Sequence, residues 1–167
     1  MKKTKLDANF IWGVSCSAYQ IEGAESEDGR DDSILDSKFT KGKVLGDMNG
    51  KIACDHYHRY KEDIALLKEL GIKNYRFSIS WTRIFRDGIG EVNLKGVEFY
   101  KDLVNRLIAA DITPWVTLFH WDLPYKLYEK GGYLNPEISD WFAIYAKSIV
   151  DIFGEKVNNY IIMNEPQ

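Results

Sequence analysis

The feature that most constrains this chain is an alternation of short apolar runs with stretches of helical spacing. "FIWGVSCSA" (Phe10–Ala18) is a short apolar run and predicts a first strand. "YHRYKEDIALLKELG" carries Tyr60, Ile64 and Leu67 on one helical stripe and stops at Gly71, a natural helix end. "NYRFSIS" has the period of a strand, with Tyr75, Phe77 and Ile79 on one face and Arg76, Ser78 and Ser80 on the other. "VEFYKDLVNRLIAA" returns to helix spacing at Tyr100, Val104 and Leu107. "TPWVTLFH" predicts a third strand, with Pro114 tolerable near its start. "DWFAIYAKSIVDIF" lines up Trp141, Tyr145, Ile149 and Ile152 before Gly154, and "VNNYIIMNE" predicts a fourth strand.

The order β-α-β-α-β-α-β predicts parallel strands joined by right-handed crossovers. Two architectures satisfy it: an open doubly wound sheet and a (β/α)8 barrel. The stretches after the strands are chemically loaded: Gln20–Glu22, Trp81–Arg83, His120–Pro124 and Asn164–Glu165. The turns back into strands, Gly71-Ile72 and Asp111-Ile112, are short and plain. Function at the carboxyl ends of strands fits both architectures. No Gly-rich phosphate turn follows a strand, which argues against a nucleotide fold and for four strands of a barrel. At 167 residues, the chain reads as part of one domain, residues 1–167, with no internal boundary and a long polar loop from Gly23 to about Gly50.

Composition narrows the function classes. A net charge of −3 without a basic run points away from nucleic acid. His56 and His58 sit together at a helix start, but the chain has 3 His and no cluster with metal-ligand spacing, so no metal or other cofactor is expected. Cys16 and Cys54 are too few for a disulfide framework and suggest a reducing compartment. The basic start Met1–Lys5 resembles the opening of a signal peptide, but Leu6-Asp7-Ala8-Asn9 follows in place of an apolar core. No stretch is long enough to span a membrane, so a soluble cytoplasmic protein with no membrane partner is expected. Aromatic residues reach 14%, and rings with polar tips suit sugar faces as well as cores.

Candidate chemistry collects at the strand ends. Arg76, on the face opposite the apolar one, needs an anionic partner, which is either structural or a carboxylate it orients for catalysis. His120-Trp121 offers a hydrogen-bonding ring beside a flat apolar surface, which polyol ligands require; a satisfied core histidine is the alternative. Glu165 ends the fourth strand, because Pro166 cannot continue the ladder, and Asn164 beside it can both donate and accept. A strand-end carboxyl can act as general acid or base, or it can be an ordinary surface group.

These blocks together resemble glycoside hydrolase family 1, the β-glucosidase family. "FIWGVSCSAYQIEGA", "ACDHYHRYKEDIALLKELGIKNYRFSISWTRIF", "VTLFHWDLP" and "MNEP" are similar to its successive blocks, in order and in register, over essentially the whole chain. The resemblance implies a (β/α)8 barrel, of which this chain supplies roughly the first four β/α units, and retaining hydrolysis of terminal β-D-glucosyl or β-D-galactosyl residues. It implies that Glu165 is the general acid/base and that Asn164 binds the sugar's 2-hydroxyl. It further implies that Gln20, His120 and Trp121 bind the glycone and that Arg76 orients the nucleophile. That nucleophile belongs late in the family's barrel, and no second carboxylate here matches it, so the 167 residues alone are expected to be inactive. One departure is Asp31-Asp32-Ser33-Ile34-Leu35-Asp36, where the family often has Gly-Pro-Ser-Ile-Trp-Asp. Alternatives are a piece of a 6-phospho-β-glucosidase, a non-catalytic sugar-binding module, and a half-barrel that assembles through open edge strands. The expected partners are a small β-glycoside or oligosaccharide, and either the rest of the barrel or a second copy.

Overall fold

The computed structural model describes residues 6–36 and 49–166. The basic start and the middle of the Gly23–Gly50 loop lie outside the described residues. Strand β1 (Val14–Ser15) is followed by a short helix α1 (Ala18–Ile21) and then the long helix α2 (His56–Glu69). Strand β2 (Asn74–Ser78) leads through a short helix α3 (Trp81–Ile84) to α4 (Leu94–Ala109). Strand β3 (Thr113–Phe119) leads through α5 (Tyr125–Glu129) to α6 (Ile138–Phe153), and β4 (Asn159–Met163) follows.

The four strands form one parallel sheet in the order β1-β2-β3-β4. Each new strand is added on the same side of the last. A doubly wound sheet reverses direction at a switch point, and this sheet does not, so the ambiguity resolves toward the barrel. The register sets Arg76 opposite Trp115, Ser78 opposite Thr117, and Thr117 opposite Ile161.

Both periodicities survive in the packing. Tyr75, Phe77 and Ile79 are buried with Val116 and Leu118 against α2, α4 and α6. Tyr100, Val104 and Leu107 face them from α4, and Trp141, Tyr145 and Ile149 from α6, all buried. Each fully buried large apolar side chain contributes about 1.5–3 kcal/mol, so these stripes dominate the stability of the layer. Trp81 stacks on Tyr145 with centroids 4.6 Å apart and joins α3 to α6. Close approach is built in at Gly96, where an added Cβ would lie 2.0 Å from the Arg83 carbonyl oxygen.

The plain turns have a common construction. At the end of α2, Gly71 N–H donates to Lys68 O (3.0 Å) and Ile72 N–H to Leu67 O (3.0 Å). At the end of α4, Asp111 N–H donates to Ile108 O (3.0 Å) and Ile112 N–H to Leu107 O (2.9 Å). Both are Schellman closures, which require a left-handed residue: Gly71 at φ 72° and Asp111 at φ 62°.

Two sequence expectations need correction. The first strand is two residues long, shorter than Phe10–Ala18, because only Val14 and Ser15 find ladder partners on β2. Ala18 already begins α1, its N–H donating to Ser78 Oγ at 2.8 Å. The helices α3 and α5, of four and five residues, were not predicted; they are too short to display a helical period.

Candidate active site

Arg76, Asn164, His120 and Trp121 gather at the carboxyl end of the sheet. Arg76 projects from β2 away from the helices. Its Nε–H donates to Thr117 Oγ1 (2.8 Å) on β3, and its Nη2–H donates to Asn164 Oδ1 (2.7 Å) beyond β4. One guanidinium thus ties three strand ends together. Because Asn164 Oδ1 is taken as an acceptor, the amide's NH2 group faces outward as a donor. Asn164 is buried, and its N–H donates to Phe119 O (2.9 Å), which holds β4 to β3 past the last ladder pair.

Trp121 crosses the same junction, its indole N–H donating to Asn164 O at 3.1 Å. Trp121 has φ 69° and Glu165 has φ 46°, both in the left-handed region. A bulky residue there costs roughly 1–2 kcal/mol, so the surroundings must hold these turns. The result is a half-exposed indole face and an exposed Glu165 carboxylate on one rim. Trp121, Glu165 and Pro166 border an apolar groove of about 640 Å³, completed by Ile34, Phe119, Tyr133 and Met163.

Burial lowers the His120 pKa; the Arg76 charge lowers it further, and Glu165 opposes both. The ring is therefore neutral at pH 7. A neutral imidazole has one donor and one acceptor, which matches a hydroxyl. His120 Nδ1 is buried without a hydrogen-bond partner among the described residues. Gln20 stands exposed on α1, and no hydrogen bond joins it to the others in the described structure. It shares that rim through its backbone, because α1 is pinned to Ser78 at the end of β2.

Beneath the rim lies a buried polar network that the sequence pattern did not reveal. Glu22 accepts from Arg83 Nε (3.0 Å) and from the hydroxyl of Tyr100, whose oxygen also receives Ser80 N–H (2.7 Å). Arg83 is fully buried, donates to Gly23 O (3.2 Å) and lies 4.1 Å over the Tyr57 ring. Removing one partner of such a pair leaves a buried charge and costs about 3–5 kcal/mol. In a second pair, Arg30 Nη2 donates to both carboxylate oxygens of Asp36, at 2.9 and 3.1 Å. The Asp31–Asp36 segment is thereby fixed, and Ile34 N–H docks it on Leu123 O (2.9 Å). Leu35, where the family often has tryptophan, leaves this docking intact.

The histidines do not converge on a metal. His56 Nδ1 meets Asp63 (2.6 Å), and His58 bridges Asp55 (2.6 Å) and Glu27 (3.0 Å). Among the described residues no group of three potential ligands is close enough to hold an ion, and no helix is long and apolar enough to cross a membrane.

The family model of glycosyl hydrolase family 1 matches residues 2–167. Beta-glucosidase A of Thermotoga maritima is 48% identical over 99% of this chain and 37% of the relative. Beta-glucosidase A of Acetivibrio thermocellus is 50% identical over the same shares. The structure of the Thermotoga maritima beta-glucosidase in complex with azafagomine superposes with a TM-score of 0.93, covering 97% of this chain and 37% of that one. The chain thus spans a little over a third of the length of the relatives it matches, and its sheet corresponds to the first β/α units of a TIM barrel.

Proposed function

The chain belongs to glycosyl hydrolase family 1, and from that premise we propose that the whole protein is a retaining β-glycosidase acting on terminal β-D-glucosyl or β-D-galactosyl residues. The observation that carries the proposal is the Arg76–Asn164 bond, which orients the Asn164 amide beside Glu165 at the end of β4. In the proposed reaction Glu165 protonates the glycosidic oxygen as the bond breaks. A carboxylate roughly 5 Å away attacks the anomeric carbon, and Glu165 then deprotonates the water that releases the sugar.

Arg76 has Nε and Nη2 engaged, and Nη1, without a partner among the described residues, remains to orient that nucleophile, which the rest of the barrel supplies. The outward NH2 of Asn164 donates to the 2-hydroxyl, a contact that strengthens in the transition state. Neutral His120, Trp121 and Gln20 hold the other face of the glycone. A reducing, cytoplasmic setting belongs to the same proposal, on the reading that two cysteines, Cys16 and Cys54, are too few for a disulfide framework.

The test is hydrolysis of an aryl β-glucoside by the complete barrel, with the first-formed sugar anomer followed by NMR. Retention of the β configuration is expected, with the unphosphorylated glucoside preferred over its 6-phosphate. Inversion, or turnover of the 6-phosphate alone, overturns the assignment.

A further inference from the structure

Of the buried acids outside the reaction scheme, Glu22, Asp36 and Asp122, the last stands apart. Asp122 follows the His120-Trp121 pair and is 2% exposed. The carboxyl groups of Glu22 and Asp36 each have a guanidinium directly paired with them, from Arg83 and Arg30. Asp122 has none. Its carboxylate accepts main-chain hydrogens: Oδ1 from His120 N–H (3.4 Å) and Oδ2 from Trp81 N–H (3.3 Å). It shares a small polar cavity of about 10 Å³ with Glu22, Arg30 and Ser80, where the segments following β1, β2 and β3 meet.

This placement bears on Trp121, whose φ of 69° is strained for an aromatic residue. The chain must reverse at Trp121 for His120 and the indole to face the rim together. The carboxylate reaches back two residues to His120 N–H and across to the start of α3. It therefore spans the strained residue and fastens it to the neighbouring strand end. The segment is held from the other side by Ile34 N–H to Leu123 O (2.9 Å) and Tyr125 N–H to Asp32 O (2.9 Å). With both flanks fixed, the left-handed turn is the conformation the loop can keep.

We propose that Asp122 is a positioning residue of the sugar site: its buried carboxylate holds the turn at Trp121 from which His120 binds the glycone. The proposal rests on the reading of His120 and Trp121 as glycone ligands. It assigns Asp122 no contact with substrate and no proton transfer.

The experiment compares the complete barrel with Asp122→Ala, Asp122→Asn and His120→Ala, on β-glucosides that each lack one hydroxyl. His120→Ala identifies the hydroxyl that the histidine reads, because the analogue lacking it no longer suffers from the mutation. Asp122→Ala is expected to lower kcat/KM about tenfold on the parent glucoside, the worth of one well-placed hydrogen bond, and to leave that same analogue nearly unaffected. Asp122→Asn keeps one acceptor oxygen and is expected to show the same selective loss, smaller in size. A loss common to every substrate is what fewer folded molecules give, and it overturns the proposal. If Asp122→Ala does not fold, the Asn variant decides alone: the selective loss supports the proposal, and a profile parallel to wild type overturns it. A wild-type barrel that cleaves no β-glycoside overturns the functional reading instead.

Discussion

Asp122 brings a carboxyl group where water does not reach it. Burial raises its pKa from 3.8 to about 6, opposed by the hydrogen bonds from backbone N–H groups and by the Arg30 charge. The folded protein therefore binds this proton more tightly than the unfolded chain does. The stability associated with the neutral acid is fully present below pH 3.8 and is lost as pH rises through 6. Asp122→Asn cannot ionise, so its stability relative to wild type should rise across that window by about 2 kcal/mol. Urea unfolding of both barrels between pH 4 and 8 measures this, and a constant difference contradicts it. At this scale the sequence was only half legible. Arg76 was readable as an inward arginine in search of a partner, because strand alternation fixes its direction. The pairing of Arg83 with Glu22, 61 positions away, was not readable, because nothing local records which strand ends meet.

Among the elements, the long helices and the three longer strands were legible because burial on one face writes a period into the sequence. The turns were legible as short, but the cost within them was not. Gly71 and Asp111 close their helices with the same geometry, yet only glycine adopts the left-handed region freely. Asp111 is exposed, and its contact is a surface ion pair with Lys73, which is worth little. Asp111→Gly is therefore expected to stabilise the fold by about 0.5–1 kcal/mol, read as a higher urea midpoint at unchanged m-value. A lower midpoint would mean that the Lys73 pair outweighs the strain. The short helices α3 and α5 and the truncated β1 escaped prediction for one reason: their form is set by neighbouring strand ends and not by a repeat of their own.

For the whole molecule, the sheet has two edges, β1 and β4. Trp12 is 67% exposed just before β1, and Ile162 is 65% exposed on β4. Open edges beside exposed apolar side chains favour pairing with another chain. Expressed as an isolated piece, the 167 residues are expected to self-associate at micromolar concentration and to turn over no glucoside, since the proposed reaction takes its nucleophile from the rest of the barrel. Sedimentation velocity tests the first part; a monomer that stays monomeric as concentration rises contradicts it. The order β1-β2-β3-β4 carries the architecture, and alternation in the sequence could narrow that only to two choices. What gives Glu165 its place is distributed over the sheet: Arg76 on β2, Thr117 on β3 and Asn164 beyond β4.

The central claim is that Glu165 is the proton donor. The most direct measurement is kcat/KM of the complete barrel and of Glu165→Ala on aryl β-glucosides of graded leaving-group acidity. A good leaving group departs without a proton, and a poor one does not. The mutation is expected to cost about 100-fold or more on poorly acidic phenols and little on strongly acidic ones, so that the rates become steeply dependent on phenol pKa. An equal loss across the series, or none at all, contradicts the assignment of Glu165 as the acid.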